Sequence, residues 1–190
     1  MALSKLSRSI SGSVAVVTGA ASGMGRATAH LFGDEGARVA LLDVNNAALE
    51  KVHEEMNGEG YDSKAWCVDL SDGLSIKRVF AEISEHFGGI DILINNAGIS
   101  RFAPIDDDDY EIAWHESIAV LLTAHTLTVR AALPHLRRAE NPRIVNIAST
   151  EGLGATRYGS PYTAAKTGVI GLTRSLAVEP VSYTHLRAHE

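Results

Sequence analysis

Residues 14–25 of this 190-residue chain read VAVVTGAASGMG, an apolar run that leads directly into a glycine-rich turn. A short, unbroken apolar run is typical of a strand buried on both faces of a parallel sheet. Gly19, Gly23 and Gly25 allow a tight turn and leave room for a pyrophosphate at the start of the next helix, where free N–H groups favour an anion. The stretch predicts the first strand, turn and helix of a dinucleotide-binding fold. An ordinary glycine-rich turn is the alternative.

Strand and helix patterns alternate along the rest of the chain. This alternation indicates a parallel α/β sheet, and right-handed crossovers give it a doubly wound arrangement. We predict the strand order 3-2-1-4-5, with helices on both faces. The expected strands are Val14–Val17, Arg38–Leu42, Ala65–Val68, Asp91–Asn95 and Arg143–Ala148, and the expected helices cover 24–35, 46–57, 72–87, 107–138 and a last segment opened by Ser160-Pro161.

Local signals predict where several helices begin and end. Asn45 is expected to cap the second helix, and Gly88-Gly89 to end the third. The long helix over 107–138 is expected to kink near Pro134. Its acidic residues Asp106–Asp109 are expected to form a negative first turn that complements the helix dipole.

Ser149, Tyr162 and Lys166 form the most informative set of polar residues. Tyr162 and Lys166 are four positions apart, so both side chains project from one helix face. A tyrosine is a poor base because its unperturbed pKa is about 10, and a neighbouring ammonium favours the phenolate. Ser149 follows the fifth strand and could hold a carbonyl or hydroxyl oxygen. These residues indicate hydride transfer between a nicotinamide and an alcohol or ketone. A surface Tyr–Lys pair is the alternative.

The chain resembles the short-chain dehydrogenase/reductase family. The motifs that carry the resemblance are Thr18–Gly25, Asp43, Asp69, Asn95-Asn96-Ala97-Gly98, Ser149 and Tyr162-Thr163-Ala164-Ala165-Lys166, in the family's order. The resemblance implies a Rossmann fold and an NAD(P)-dependent oxidoreductase acting on a small-molecule alcohol or ketone. Tyr162 would be the general acid/base, Lys166 would lower its pKa and bind the nicotinamide ribose, and Ser149 would hold the substrate oxygen. A homo-oligomer, dimer or tetramer, is implied for the full-length protein.

The resemblance also implies a set of cofactor-binding positions. Asp43 would accept hydrogen bonds from the adenosine ribose and repel a 2′-phosphate, and no basic residue directly follows it, since Val44 and Asn45 come next. NAD is therefore favoured over NADP. Asp69 would contact the adenine amino group, or would merely cap a helix, and Leu70 would line that pocket. The full set is Gly19, Ser22, Gly23, Met24, Gly25, Asp43, Asp69, Leu70, Asn96, Ala97, Gly98, Tyr162 and Lys166.

One position departs from the family pattern. Members usually carry an asparagine in the long helix, within Val-Asn-Leu, where this chain has Val120-Leu121-Leu122. Leucine cannot hold the water that normally links the lysine to solvent. His125, at i+4 from Leu121, lies on the same face and is either a substitute proton relay or an ordinary helix-interface residue. The residues placed to shape a substrate pocket are Arg101, Phe102, Glu151, Leu153, Arg157 and Tyr158.

Composition narrows the class of protein. A hydrophobic content of 45% and a charged content of 21% are ordinary for one globular domain. The net charge of −6 argues against nucleic-acid binding. The sequence shows no signal-peptide pattern and no membrane-length apolar run, and its single cysteine, Cys67, favours the reducing cytoplasm. The histidines lack metal-ligand spacing, so no metal is expected.

The last ten residues break the pattern. Residues 181–190 read VSYTHLRAHE, which is polar and aperiodic, and one choice of synonymous codons for it reproduces a transposon-end adapter used in sequencing libraries. We therefore expect residues 1–180 to form a dinucleotide-binding domain that lacks the family's last strands, with 181–190 as a non-native tail. Two alternatives to an active oxidoreductase remain, namely a non-catalytic nucleotide-binding regulatory module and an inactive fragment.

Overall fold

The described part of the chain, residues 9–179 of a computed structural model, alternates strands with helices. The strands are β1 (Val14–Thr18), β2 (Arg38–Asp43), β3 (Ser63–Cys67), β4 (Ile92–Asn95) and β5 (Arg143–Asn146). The helices are α1 (Gly23–Asp34), α2 (Asn46–Gly58), α3 (Gly73–Phe87), α4 (Tyr110–Ile118), α5 (Ala124–Leu136) and α6 (Ser160–Val178). A π-helical segment (Ala119–Thr123) joins α4 to α5, and a 3₁₀ turn (Thr150–Gly152) follows β5.

Within residues 9–179 these strands form one sheet in the order β3-β2-β1-β4-β5, and every neighbouring pair is parallel. The predicted fold class and strand order are confirmed. The order reverses beside β1, and clefts at the carboxyl ends of the strands form at such a reversal. The prediction that residues 181–190 are a non-native tail falls outside the described residues.

The sheet buries an apolar core on each face, and β1 contributes to both. Val14 and Val16 pack with apolar residues of α3 and α5, whereas Ala15 and Val17 pack with residues of α1 and α2. All of β1 is buried. Burial on both faces explains why its sequence is a continuous apolar run and not an alternating one.

Two of the predicted helix boundaries are confirmed, and a third residue explains the start of α3. Asn45 caps α2 by accepting the Ala48 N–H at 3.2 Å, and Gly88 ends α3 in the left-handed region at φ 85°. Asp72, and not Asp69, caps α3, because its carboxylate accepts the Leu74 N–H at 2.9 Å. The capping alternative for Asp69 is therefore wrong.

The long helix differs from its prediction at two places. Helix α4 begins at Tyr110, so the acidic run 106–109 precedes the helix and does not form its first turn. The irregular segment is the π-helical stretch over 119–123, whereas α5 continues past Pro134 to its end at Leu136. A proline so near a helix end removes little hydrogen bonding, while a π turn changes the face on which side chains emerge.

An 18-residue stretch of the helix over Tyr110–Leu136 has a mean hydropathy of 1.3, so by length and composition alone this helix could cross a membrane. In this fold it packs against β4, α3 and α6. Its buried apolar residues Ala124, Val129, Ala132 and Leu136 belong to the core on one face of the sheet, so packing accounts for part of the apolar composition.

Candidate active site

Polar side chains from neighbouring strands hold the glycine-rich turn between β1 and α1. The backbone N–H groups of Asn96 and Ala97 donate to Thr18 Oγ1 at 2.9 and 3.0 Å, and Asn96 Nδ2 donates to the Thr18 carbonyl at 2.9 Å. From the other side, Asp43 Oδ2 accepts the Ala21 N–H at 3.1 Å. Three predicted cofactor-binding residues, Asp43, Asn96 and Ala97, therefore also brace the turn.

Close backbone packing requires glycine at two positions of the turn. Gly19 lies in the left-handed region at φ 68°, and a Cβ there would lie 2.8 Å from the Ala97 Cα. At Gly25, a Cβ would collide with the carbonyl oxygen of Gly19. The turn therefore presents bare backbone to the cleft, as a bound pyrophosphate requires.

Replacing Gly25 with alanine is expected to lower the free energy of unfolding by at least about 2 kcal/mol, because the methyl group meets backbone that cannot rotate away. Urea unfolding measures the loss. Gly58→Ala is the matched control, since a Cβ at that helical position would meet nothing within 4 Å. We expect the control to unfold at the wild-type urea concentration or slightly above it. Wild-type stability of Gly25→Ala would show that the turn is looser than described.

A cavity of about 500 Å³ opens beside the turn. Its size suits a bound small molecule or one part of a dinucleotide. Asp69 faces it with a carboxylate that also accepts the Ser71 N–H at 2.8 Å. Its lining comprises the predicted positions Gly19, Asp43, Asp69, Leu70, Ala97 and Gly98, together with Val44, Val68, Ser71, Ile99, Arg101, His115, Glu116, Ala119 and Val120.

The start of α1 suits an anion. Within residues 9–179 the Ser22 side chain accepts no capping hydrogen bond, and the first turn of α1 carries no acidic side chain. Gly23 opens the helix at φ 53°, and the side chain of Met24 is exposed. The unsatisfied N–H groups and the positive dipole end at such a terminus favour a phosphate. The residues present therefore fit a dinucleotide.

Ser149 is held between two contacts that tie its loop to α6. Two residues before it, the Ile147 carbonyl accepts a hydrogen bond from Lys166 Nζ at 2.7 Å. Two residues after it, Glu151 accepts from Thr163 Oγ1 at 3.2 Å. These contacts bring the loop beyond β5 against the Tyr162 helix. The Ser149 Oγ accepts the Glu151 N–H at 3.2 Å, which leaves its own O–H as a donor.

Lys166 is buried, with 3% of its surface exposed. Burial disfavours the charged ammonium and lowers the pKa of Lys166 to about 8. Its Nζ lies 5.9 Å from the centroid of the Tyr162 ring, as the spacing of four residues predicts for one helix face. Phe102, in the loop between β4 and α4, stacks on that ring, with centroids 6.1 Å apart and planes 18° from parallel.

The structure separates the predicted site into two regions. Gly19 of the turn and the predicted cofactor positions at or after the ends of β2, β3 and β4 line the cavity. The other predicted positions are not among the cavity-lining residues within 9–179, namely Ser22, Gly23, Met24, Gly25, Asn96, Ser149, Tyr162 and Lys166. The last three of these are brought together on α6 and the loop after β5.

Of the predicted substrate-pocket residues, Arg101 lines the cavity and pairs with Glu116 at 2.6 Å. Arg157 stacks over Tyr158, with its guanidinium 4.5 Å from the ring centroid.

A buried chain of hydrogen bonds joins β4, β5, α5 and α6, and two of its members, Thr128 and Thr173, are not predicted by any sequence motif. Thr128 donates to Asn95 at 2.8 Å, Asn95 donates to Asn146 at 2.9 Å, and Asn146 donates to Thr173 at 3.0 Å. These hydrogen bonds fix the position of α6 relative to the sheet, and with it the positions of Tyr162 and Lys166. Its members are separated widely in sequence, so spacing gave no signal.

The departure at Leu121 lies in the π-helical segment. Leu121 is fully buried, and a Cβ added at Gly98, in the loop after β4, would lie 3.3 Å from the Leu121 Cδ2. His125, one turn further on, is 3% exposed. Burial and the Lys166 ammonium lower the pKa of His125 to about 3, so its imidazole is neutral at neutral pH.

The sheet, the glycine-rich turn and the cleft define a Rossmann-like α/β protein, with a serine in the loop after β5 and a tyrosine and a buried lysine on α6. A sequence profile described as short chain dehydrogenase matches residues 13–187, and the chain belongs to that family. Its resemblance to the family, first seen in the motifs, is thereby confirmed.

Known proteins similar to this chain are oxidoreductases. It is 38% identical over 166 residues to an uncharacterised oxidoreductase, YxjF, of Bacillus subtilis, covering 87% of this chain and 64% of the relative. It is 36% identical over 170 residues to a D-beta-hydroxybutyrate dehydrogenase of Cupriavidus necator, covering 90% and 66%. A putative short-chain alcohol dehydrogenase structure from Sinorhizobium meliloti superposes with a TM-score of 0.86 at 31% identity, covering 94% and 71%. The chain thus spans about two thirds of the length of these curated relatives.

Proposed function

We propose that this chain carries the cofactor site and catalytic residues of an NAD-dependent oxidoreductase that interconverts an alcohol and a ketone. The observation that carries the proposal is the burial of Lys166. Among residues 9–179 no carboxylate lies within 4.0 Å of this ammonium, and a buried charge without an ionic partner is costly. This unfavourable burial is explained if the Lys166 ammonium stabilises the phenolate form of Tyr162 in the same helix.

In this proposal each side chain has a defined role. Tyr162 exchanges a proton with the substrate oxygen, and Lys166 stabilises the phenolate form of the tyrosine and binds ribose. Ser149 donates its O–H to the substrate oxygen and stabilises the charge that develops there. Phe102 covers one face of the Tyr162 ring. The nicotinamide, when bound, supplies or takes up the hydride.

The geometry of Asp43 supports NAD as the cofactor. Each of its carboxylate oxygens accepts one backbone N–H, from Ala21 at 3.1 Å and from Asn45 at 2.9 Å. Each oxygen therefore keeps a lone pair for a ribose hydroxyl, and the fixed negative charge opposes a 2′-phosphate. Two unit charges about 4 Å apart in water repel by about 1 kcal/mol, so a phosphate of charge near −2 costs about 2 kcal/mol.

We expect this chain to bind NADH about 30-fold more tightly than NADPH, the ratio that about 2 kcal/mol gives. Asp43→Asn should reduce the preference for NADH over NADPH to a few-fold, since it removes the negative charge of the side chain and keeps its shape. Titration followed by nicotinamide fluorescence measures both affinities. Asp34→Asn is the control, because Asp34 lies at the end of α1 outside the cavity lining. An unchanged ratio in Asp43→Asn would contradict the assignment.

Turnover is tested on the 190-residue chain and on any longer product of the same gene, so that a missing segment is not mistaken for a missing activity. NAD(H) absorbance is followed with a panel of secondary alcohols and ketones that begins with 3-hydroxybutyrate, the substrate in one relative's name. Dinucleotide binding without turnover in both proteins favours the regulatory-module alternative. No binding in either refutes the cofactor assignment.

Two further properties belong to the same proposal. A homo-oligomer, dimer or tetramer, is expected for the full-length protein, and light scattering measures its mass. A cytoplasmic location is proposed because the single cysteine, Cys67, suits a reducing compartment.

A further inference from the structure

The loop between β4 and α4 is tied to the start of α6, the helix that carries Tyr162. The Ala103 N–H donates to the Tyr158 carbonyl at 2.9 Å, in the turn that leads into α6. A second hydrogen bond, also of 2.9 Å, joins the Tyr110 hydroxyl at the start of α4 to Ser160 Oγ at the start of α6. The loop therefore has a defined position relative to the first turn of α6.

Tyr158 has an unusual backbone conformation in this turn. It is the one non-glycine residue among residues 9–179 with a positive φ, at 64°. A bulky residue in the left-handed region is strained, and such strain persists only where neighbouring contacts fix the backbone. The contact here is the hydrogen bond from Ala103, which involves the Tyr158 carbonyl and not its ring. The strained turn thus directs this carbonyl at the loop between β4 and α4.

The tie brings the Phe102 ring against both Gly159 and Tyr162. A Cβ added at Gly159 would lie 2.9 Å from Phe102 Cε1, so this ring packs directly on the backbone of the turn. The same ring stacks on that of Tyr162, with centroids 6.1 Å apart. Any side chain at position 159 would displace Phe102, because close-packed groups leave no room for an added methyl group.

The Tyr162 ring has no anchor at its hydroxyl. Within residues 9–179 this hydroxyl takes part in no hydrogen bond, and Lys166 Nζ donates to the Ile147 carbonyl instead. Tyr162 is also only half-buried. A general acid/base must be held close to its productive geometry, since a misplacement of about 1 Å can cost about 100-fold in rate. The Phe102 stack supplies a contact that restricts the ring.

We propose that Phe102 is a positioning residue for Tyr162, and that the strained turn at 158–159 holds Phe102 against it. In this role Phe102 acts through the Tyr162 ring and exchanges no proton itself. It restricts the side-chain torsion of Tyr162, so that the hydroxyl stays where it can meet a substrate oxygen. The catalytic use of this restriction rests on the proposed function, whereas the restriction itself does not.

The restriction is tested by NMR on the 190-residue chain with isotope-labelled tyrosine and no dinucleotide. Three-bond couplings from Cγ of Tyr162 to the backbone N and C′ show whether its χ1 torsion occupies one rotamer or several. We expect one rotamer in the wild type and in Phe102→Tyr, which keeps the stacked ring. Phe102→Leu removes that ring, so the couplings should become averaged over rotamers.

A change in the turn provides an independent variant that leaves Phe102 in the sequence. Gly159→Ala should average the Tyr162 couplings as Phe102→Leu does, because the added methyl group displaces the Phe102 ring. Gly154→Ala, in the preceding loop, is the matched control, since its Cβ would meet the Thr150 carbonyl oxygen at an ordinary 3.6 Å. It should leave the couplings unchanged.

Kinetics distinguish positioning from substrate binding. In an active protein, Phe102→Leu should lower kcat about tenfold and leave KM and the affinity for NADH within about threefold, because proton transfer is affected and binding is not. Phe102→Tyr should restore kcat to within about twofold of wild type. Ile105→Ala removes an exposed apolar side chain of the same loop and should keep the wild-type kcat.

A single Tyr162 rotamer in Phe102→Leu, averaged rotamers in the wild type, or an unchanged kcat in an active Phe102→Leu enzyme would each overturn the proposal. Failure of the proposed function has a different signature, namely a Tyr162→Phe variant that keeps wild-type turnover. In that case the couplings still decide whether Phe102 restricts the ring.

Discussion

A Tyr162→Phe variant is expected to lose about a thousandfold of the turnover number with the best substrate, because removal of a positioned general acid/base costs about 10²–10⁴-fold. The substitution deletes one hydroxyl and keeps the ring. The stacking of residue 162 on Phe102 at 6.1 Å should therefore persist, and the fold with it. Steady-state rates from NADH absorbance give the loss. The affinity for NADH should change by less than about threefold, because the substitution keeps the ring at position 162 and leaves the other predicted cofactor-binding residues untouched.

Tyr158 supplies the matched control for this experiment. It lies four residues before Tyr162, is largely exposed, and stacks against Arg157. Tyr158→Phe should keep the turnover number within about threefold, with any effect appearing in KM, because an interaction made equally in ground and transition states changes KM alone. If Tyr162→Phe kept a tenth or more of wild-type turnover, another group would have to be the acid/base, and the regulatory-module alternative would gain weight.

The sequence could predict the fold because the signals for it are local. The apolar run 14–17, the glycine-rich turn and the alternation of periods all lie within single elements, and they suffice for the observed strand order. The spacing of Tyr162 and Lys166 likewise fixes a shared helix face, which the distance of 5.9 Å bears out.

The parts that could not be predicted depend on contacts between elements. The bond from Ala21 to Asp43 and the bond from Lys166 to Ile147 join residues that no period relates. The π-helical segment at 119–123 was missed for a different reason, since nothing in its composition distinguishes it from α-helix and the proline at 134 gave a stronger but misleading signal. The position of His125 on its helix suggested that it is buried. Nothing in the sequence predicted that its ring nitrogens have no hydrogen-bond partner within residues 9–179.

Replacing Lys166 with methionine is expected to abolish most activity and yet to stabilise the fold at neutral pH. Methionine fills a similar volume without a charge, so the stabilisation of the Tyr162 phenolate is lost and turnover should fall by about 100-fold or more. The stability effect follows from linkage. The pKa of Lys166 is about 8 in the fold, whereas an unstructured lysine has its ordinary pKa of 10.5. The unfolded state therefore binds more protons between these two values, and wild-type stability rises with pH across that window.

The difference in the free energy of unfolding between Lys166→Met and wild type depends on pH. At pH 7 the burial of the charged lysine costs about 3 kcal/mol, and the lost hydrogen bond to Ile147 offsets about half of this, so Lys166→Met should be about 1–2 kcal/mol more stable than wild type. Above pH 10.5 the lysine is neutral in both states, so the advantage should disappear and become a small loss. Urea unfolding at pH 7 and pH 10.5 measures the change. Lys51→Met, at an exposed position of α2, should stay within about 0.5 kcal/mol of wild type at both. If Lys166→Met were destabilised equally at the two pH values, burial of the charged ammonium would not lower the free energy of unfolding of the wild type.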